Sequence, residues 1–139
     1  MTKLIGGRMG GALLTTAVIG LTLTTSYIHL GLGGLLFTLN GLGYAGLAGL
    51  FLLGAVAPHP LIERFSWAPR LMLAGYTAMT IGGYLVMGPF FTLGWIAKGV
   101  EVALISLIAI DILRVYGSPM GFARAAIASV FGQRREAVA

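Results

Sequence analysis

The stretch 35–57, LLFTLNGLGYAGLAGLFLLGAVA, runs without a charged side chain and stops at Pro58-His59-Pro60. A helix crossing the hydrocarbon of a bilayer needs about 20 mostly apolar residues, and this stretch supplies them. Reading outward from it, three more stretches of the same kind appear. An uncharged turn, Gly31-Leu32-Gly33-Gly34, separates it from a first span over 10–30. A third span covers 70–87, with Pro69 in its first turn, where a missing N–H is tolerated, and Gly88-Pro89 breaks it. A fourth covers 93–116 and ends at Gly117-Ser118-Pro119.

The sequence therefore predicts an all-α integral membrane protein, a four-transmembrane-helix bundle within 1–117. A tail, 118–139, reads as a C-terminal interfacial amphipathic helix on the cytoplasmic side, with Phe122, Ile127 and Phe131 flanking Arg124.

Composition supports this independently. The 139 residues are 58% hydrophobic and only 9% charged, whereas a soluble domain carries about 25% charged residues to keep its surface wet. The charge of +5 sits where a membrane protein places it. Lys3 and Arg8 precede the first span, Arg64 and Arg70 lie between the second and third, and Arg114, Arg124, Arg134 and Arg135 end or follow the fourth. Only Lys98, of nine basic residues, lies towards the other side. Basic flanks mark the cytoplasmic face, so both termini are expected there, in a membrane of the bacterial cytoplasmic kind. No basic run is interleaved with aromatics, so nucleic acid is not an expected partner. The first span is followed by no small-x-small site, so it is expected to stay in place as a span and not to be a cleaved leader.

Lipid gives helices no hydrophobic reason to associate, so small residues must permit close approach. Gly41, Ala45 and Gly49 recur at four-residue spacing and are expected to form a packing face. Thr15, Thr22, Ser26 and His29 share one stripe of the first span, expected to face the bundle interior. Phe65, Trp67, Tyr116 and Phe122, with the flanking arginines, suit the headgroup layer as anchors.

Ionisable groups within a bilayer are costly and are candidates for function. Lys98 and Glu101, three apart on one helix, can pair directly. Asp111 and Arg114 have the same spacing near the cytoplasmic end and read as an interfacial ion pair. At 100° per residue, Asp111 is expected about 80° around the helix from the Lys98–Glu101 face. Antiparallel hairpins bring His29, Asn40, Lys98 and Glu101 to one level, which makes them the candidate intramembrane polar cluster.

Cysteine is absent, which removes thiolate chemistry, disulfides and iron–sulfur ligation. No HExxH, nucleophile elbow or phosphate loop occurs, so neither a metal site nor a catalytic residue is expected. No cofactor is expected within the chain. His29 and His59 fall on opposite sides of the membrane and cannot share one haem; the remaining route is a haem or pigment shared with a partner through His29, against the commoner hydrogen-bonded histidine at a helix end.

Two functions fit. One is a non-catalytic small membrane subunit or assembly partner of a larger membrane complex, respiratory or photosynthetic, whose partners are the lipid bilayer and other membrane subunits or itself. The alternative is a small oligomeric transporter or channel using the Lys98/Glu101 region.

Overall fold

The computed structural model describes residues 7–132, and among these it is all-helical. Lys3, Arg134 and Arg135, which entered the charge argument, lie outside the described residues. Four long helices, α1 (Arg8–Leu32), α2 (Leu35–Val56), α4 (Trp67–Met87) and α5 (Thr92–Tyr116), are accompanied by two shorter ones, α3 (Pro60–Arg64) and α6 (Pro119–Phe131). The punctuation explains the ends. Gly33 and Gly34 take φ of 71° and 82°, a region open to glycine at little cost, and so reverse the chain between α1 and α2. Gly117, at φ 77°, closes α5, and the Ser118 hydroxyl accepts the Gly121 N–H to cap α6.

The stretch 58–69, read as a plain loop, contains α3, which the His59 side chain caps by accepting the Leu61 N–H at 3.3 Å. Helix α4 consequently starts at Trp67, a turn sooner than the sequence suggested.

Packing is cyclic: α1 lies against α2 and α5, and α4 lies against the same two. The buried positions explain it. Gly41, Tyr44, Ala48 and Phe51 on α2, Arg70, Leu73, Thr77 and Thr80 on α4, and Gly94, Ala97, Glu101, Leu104, Ile108 and Asp111 on α5 all alternate steps of three and four. That alternation is a seven-residue repeat, and it keeps one seam inward when helices supercoil. Asp111, like Glu101, is turned inward.

The interior is layered. Glycine and hydroxyl residues with Lys98 and Glu101 fill the end near the Gly33–Gly34 turn (the turn end). Val18, Leu47, Phe51, Leu73, Leu104 and Ile108 form an apolar layer in the middle. Arg70 and Asp111 fill the end near α6 (the tail end). Helices α1 and α2 are long and apolar enough to cross a membrane, yet only 33% and 28% of their most apolar windows are buried. Many of their leucines point outward: Leu13, Leu23, Leu35, Leu36, Leu39, Leu42 and Leu53 are all exposed.

Candidate functional site

Glu101 is the centre of the turn-end cluster and is fully buried. Its partners come from three helices. From α1, the Thr25 hydroxyl donates to Oε1 at 3.1 Å. From α4, the Thr80 hydroxyl lies 3.1 Å from Oε2. From α5 itself, the Lys98 ammonium bonds Oε2 directly. The i, i+3 spacing brings this pair together, as the sequence predicted.

Two proton assignments follow from the acceptors. Tyr44 on α2 meets Thr80 Oγ1 at 2.7 Å, and Thr80 in turn reaches both the Thr77 carbonyl and Glu101. A hydroxyl has one proton, so Tyr44 donates to Thr80, and Thr80 shares its proton between that carbonyl and Glu101. His29 Nδ1 lies 2.8 Å from the Thr25 carbonyl oxygen, which can only accept, so Nδ1 carries the ring proton. Its Nε2 then faces Glu101 Oε1 at 3.8 Å.

Beside this cluster lies a cavity of about 300 Å³. His29, Thr80 and Lys98 are its polar floor, with Asn40 on the wall, and Phe37, Tyr84 and Phe91 supply aromatic faces. Asn40 shares the cavity but does not bond Glu101; its Oδ1 accepts from Tyr76 at 2.9 Å. Of the hydroxyl stripe, Thr22, Ser26 and His29 are buried, and Thr15 is only partly so. Ser26 clasps α2 by donating to the Gly41 carbonyl at 2.7 Å.

The tail end is built differently. Asp111 is also fully buried, and it accepts from Arg70 Nε at 2.7 Å and from Arg114 Nη2 at 2.8 Å. Arg70 additionally donates to the Ser66 carbonyl at 2.7 Å and lies over the Phe51 ring, 5.4 Å from its centroid. Arg114 lies against Gly11, where an added Cβ would come within 2.9 Å of its Nη1. The expected Asp111–Arg114 pair is therefore present but sits inside a triad.

Sequence reading missed Arg70, which was assigned to the headgroup layer as a flanking arginine. Its partner lies 41 positions away, and only the α4–α5 register reveals it. Thr25, Thr80 and Tyr44 were also missed. The three-four repeat of buried positions was the signal that could have found them. Trp67, expected as an anchor, donates Nε1–H to Ser129 Oγ at 2.7 Å, and Arg64 bonds the Ser129 carbonyl, so α6 is tied to α3 and α4.

The expected packing stripe divides. Gly41 presses against Ser26 and Leu30 of α1, whereas Gly49 faces open space; Ala45 is half-buried between them. Gly43, outside that stripe, is where the Tyr76 hydroxyl of α4 approaches α2. Among the described residues, no three histidine, aspartate or glutamate side chains gather as a metal site would require. No protein-family model matches the chain, and neither a curated protein nor a solved structure matches it.

Proposed function

We propose that the chain is an integral membrane protein of four spans, with both termini on the cytoplasmic side, serving as a non-catalytic subunit that carries one ligand pocket at its turn end. The observation that carries this reading is the inverted distribution of polarity. Charged and hydroxyl side chains (Thr25, His29, Arg70, Thr80, Lys98, Glu101, Asp111) occupy the interior, while leucine, methionine and valine cover the outside. In water that arrangement loses on both counts: the interior charges are desolvated and the apolar exterior stays wet. In lipid the exterior is solvated and the interior groups satisfy one another. The pocket is blind, since the apolar layer lies beneath it, and this suits a binding site better than a pore.

Topology is tested by reporters. Fusions after residue 139 and within 58–69 are expected to report cytoplasm, and one in the Gly33–Gly34 turn the opposite side. Opposite locations for the two termini would sink the reading, because only an even number of spans returns the chain to its starting side. The subunit role is tested by purification in mild detergent, which should bring down other membrane proteins in fixed ratio.

A second reading, a small oligomeric transporter, is favoured by one observation: a buried acid, Glu101, paired with Lys98 beside a cavity that Lys98 and His29 line. Proteoliposomes holding the chain alone decide between the two. Proton flux that disappears in Glu101→Gln supports transport, and its absence supports the subunit.

A further inference from the structure

The turn-end pocket has a shape, a polarity and an entrance that together specify what it takes. Its entrance is lateral. Towards the tail end, α2 and α4 are in contact, with Tyr76 against Gly43 and Pro69 beside Gly54. The last bridges towards the turn end are Tyr76 to Asn40 and Tyr44 to Thr80. Beyond them the two helices are separated by the cavity, with Leu36 and Phe37 on one wall and Met79, Gly83 and Met87 on the other. Leu36, Met79 and Met87 are exposed on the outer surface, so in the four-span reading the gap faces lipid. At the turn end the pocket is lined by Gly88, Pro89 and Phe91, and the Tyr84 hydroxyl holds the Phe91 backbone.

Its polar floor offers donors and no net charge. Lys98 and Glu101 are directly paired and offset each other. A cation meets an ammonium, and an anion has to compete with Glu101 for that ammonium. The Lys98 ammonium has three N–H groups; one goes to Glu101 and one to the Thr80 carbonyl at 3.3 Å. Among the described residues no oxygen takes the third, which lies in the cavity wall beside the Tyr84 ring, 5.5 Å from its centroid. Asn40, whose Oδ1 is already engaged by Tyr76, has its amide NH₂ to offer.

From these features we infer that the pocket binds a neutral, lipid-dissolved molecule with a flat ring and a carbonyl acceptor, chemically a quinone. It enters between α2 and α4 and accepts hydrogen bonds from Lys98 and Asn40. The ring lies among Phe37, Tyr84 and Phe91, and any tail trails through the gap into lipid. No electron transfer is involved. The inference rests on the four-span reading of the chain.

The test uses the full chain in lipid nanodiscs with Trp67→Phe, which leaves Trp95 as the only indole of the two in the sequence. Trp95 stacks edge-on to Tyr84 with centroids 5.4 Å apart, so a quinone in the pocket quenches it. Decylubiquinone is expected to quench saturably, and decanoate, an anion of similar tail, is expected not to compete. Gly83→Leu places a side chain into the wall where an added Cβ has open space, and should raise the half-saturating concentration by about tenfold or more without lowering the melting temperature. A second variant, Lys98→Met with Glu101→Leu, removes the donor and leaves no stranded charge; it should weaken binding by about tenfold, the size expected for one hydrogen bond from a charged donor. Quenching that is linear in quinone and unchanged by Gly83→Leu overturns the inference. So does displacement by decanoate, which would assign the pocket to an anion. Binding unaffected by the double variant overturns the donor assignment. A chain that does not enter nanodiscs defeats the four-span reading itself, an outcome separate from the others.

Discussion

Helix α5 carries two fully buried acids on one seam, Glu101 and Asp111, and their surroundings have opposite character. Asp111 is held by two guanidinium groups, which keep their protons at any physiological pH. Its triad therefore carries a fixed surplus of one positive charge and has nothing to exchange. Glu101 is held by an ammonium, two hydroxyls and a nearby imidazole. Each of these partners can rotate or move, and a cavity lies alongside. A buried acid on its own thus says little about role; the kind of cation beside it separates a fastening from a site.

The largest expected effect tests the fastening. Asp111→Asn leaves Arg70 and Arg114 facing each other without a counter-charge, and breaking a buried pair in this way costs about 3–5 kcal/mol. Thermal unfolding in detergent should show it as a large fall in melting temperature or a failure to accumulate. Glu101→Gln also strands a buried cation, Lys98, but one and not two, and its ammonium can turn to the cavity it lines, so the cost is expected at the lower end of the same range. If Glu101→Gln proves the more damaging, the contrast between the two ends is wrong.

Paired replacement sharpens the same contrast. Lys98→Met with Glu101→Leu removes both charges and should recover most of the stability lost in Lys98→Met alone, since apolar groups often replace a buried pair without loss. Arg70→Met with Asp111→Leu should not recover, because Arg114 remains. Double-mutant cycles measured by thermal unfolding give the two coupling energies directly.

Packing supplies a smaller contrast. A Cβ at Gly41 would stand 2.9 Å from the Ser26 carbonyl, so Gly41→Ala must push α1 from α2 at about 1–3 kcal/mol, the usual cost of overpacking. Gly49→Ala enters open space and should be neutral or stabilising by up to about 1 kcal/mol through helix propensity. Equal effects at the two positions would mean that Gly49 is covered by another helix in the membrane, which would favour the subunit reading.

The smallest effect concerns the tail. Ser129→Ala removes the acceptor of the Trp67 indole and should cost about 1 kcal/mol. Limited proteolysis near 117–119 should become faster while the four long helices remain protected.

Much of this organisation was legible in the sequence, for identifiable reasons. Gly33-Gly34, Gly88-Pro89 and Gly117-Ser118-Pro119 end helices through local backbone chemistry, so the boundaries of the long helices were read to within a few residues. Lys98 and Glu101 were paired because both lie on one helix, where spacing is geometry. Arg70–Asp111, Thr80–Glu101 and Trp67–Ser129 join different elements, and no local rule sets the register between them. The angle between Asp111 and Glu101 did not reveal that both are buried, because the inward arc of α5 is wide enough to hold the two. Asn40 was placed at the correct level, but its level does not reveal that Tyr76 takes its carbonyl.

The apolar layer of Val18, Leu47, Phe51, Leu73, Leu104 and Ile108 is also an electrical insulator. In a four-span protein the membrane voltage falls mainly across the dry part of the interior, worth about 2.3 kcal/mol per charge per 100 mV. Glu101 and Asp111 then sit on opposite plates of a small capacitor. A charge moved from one end to the other would cross most of that field, while a molecule entering and leaving the turn-end cavity crosses almost none of it.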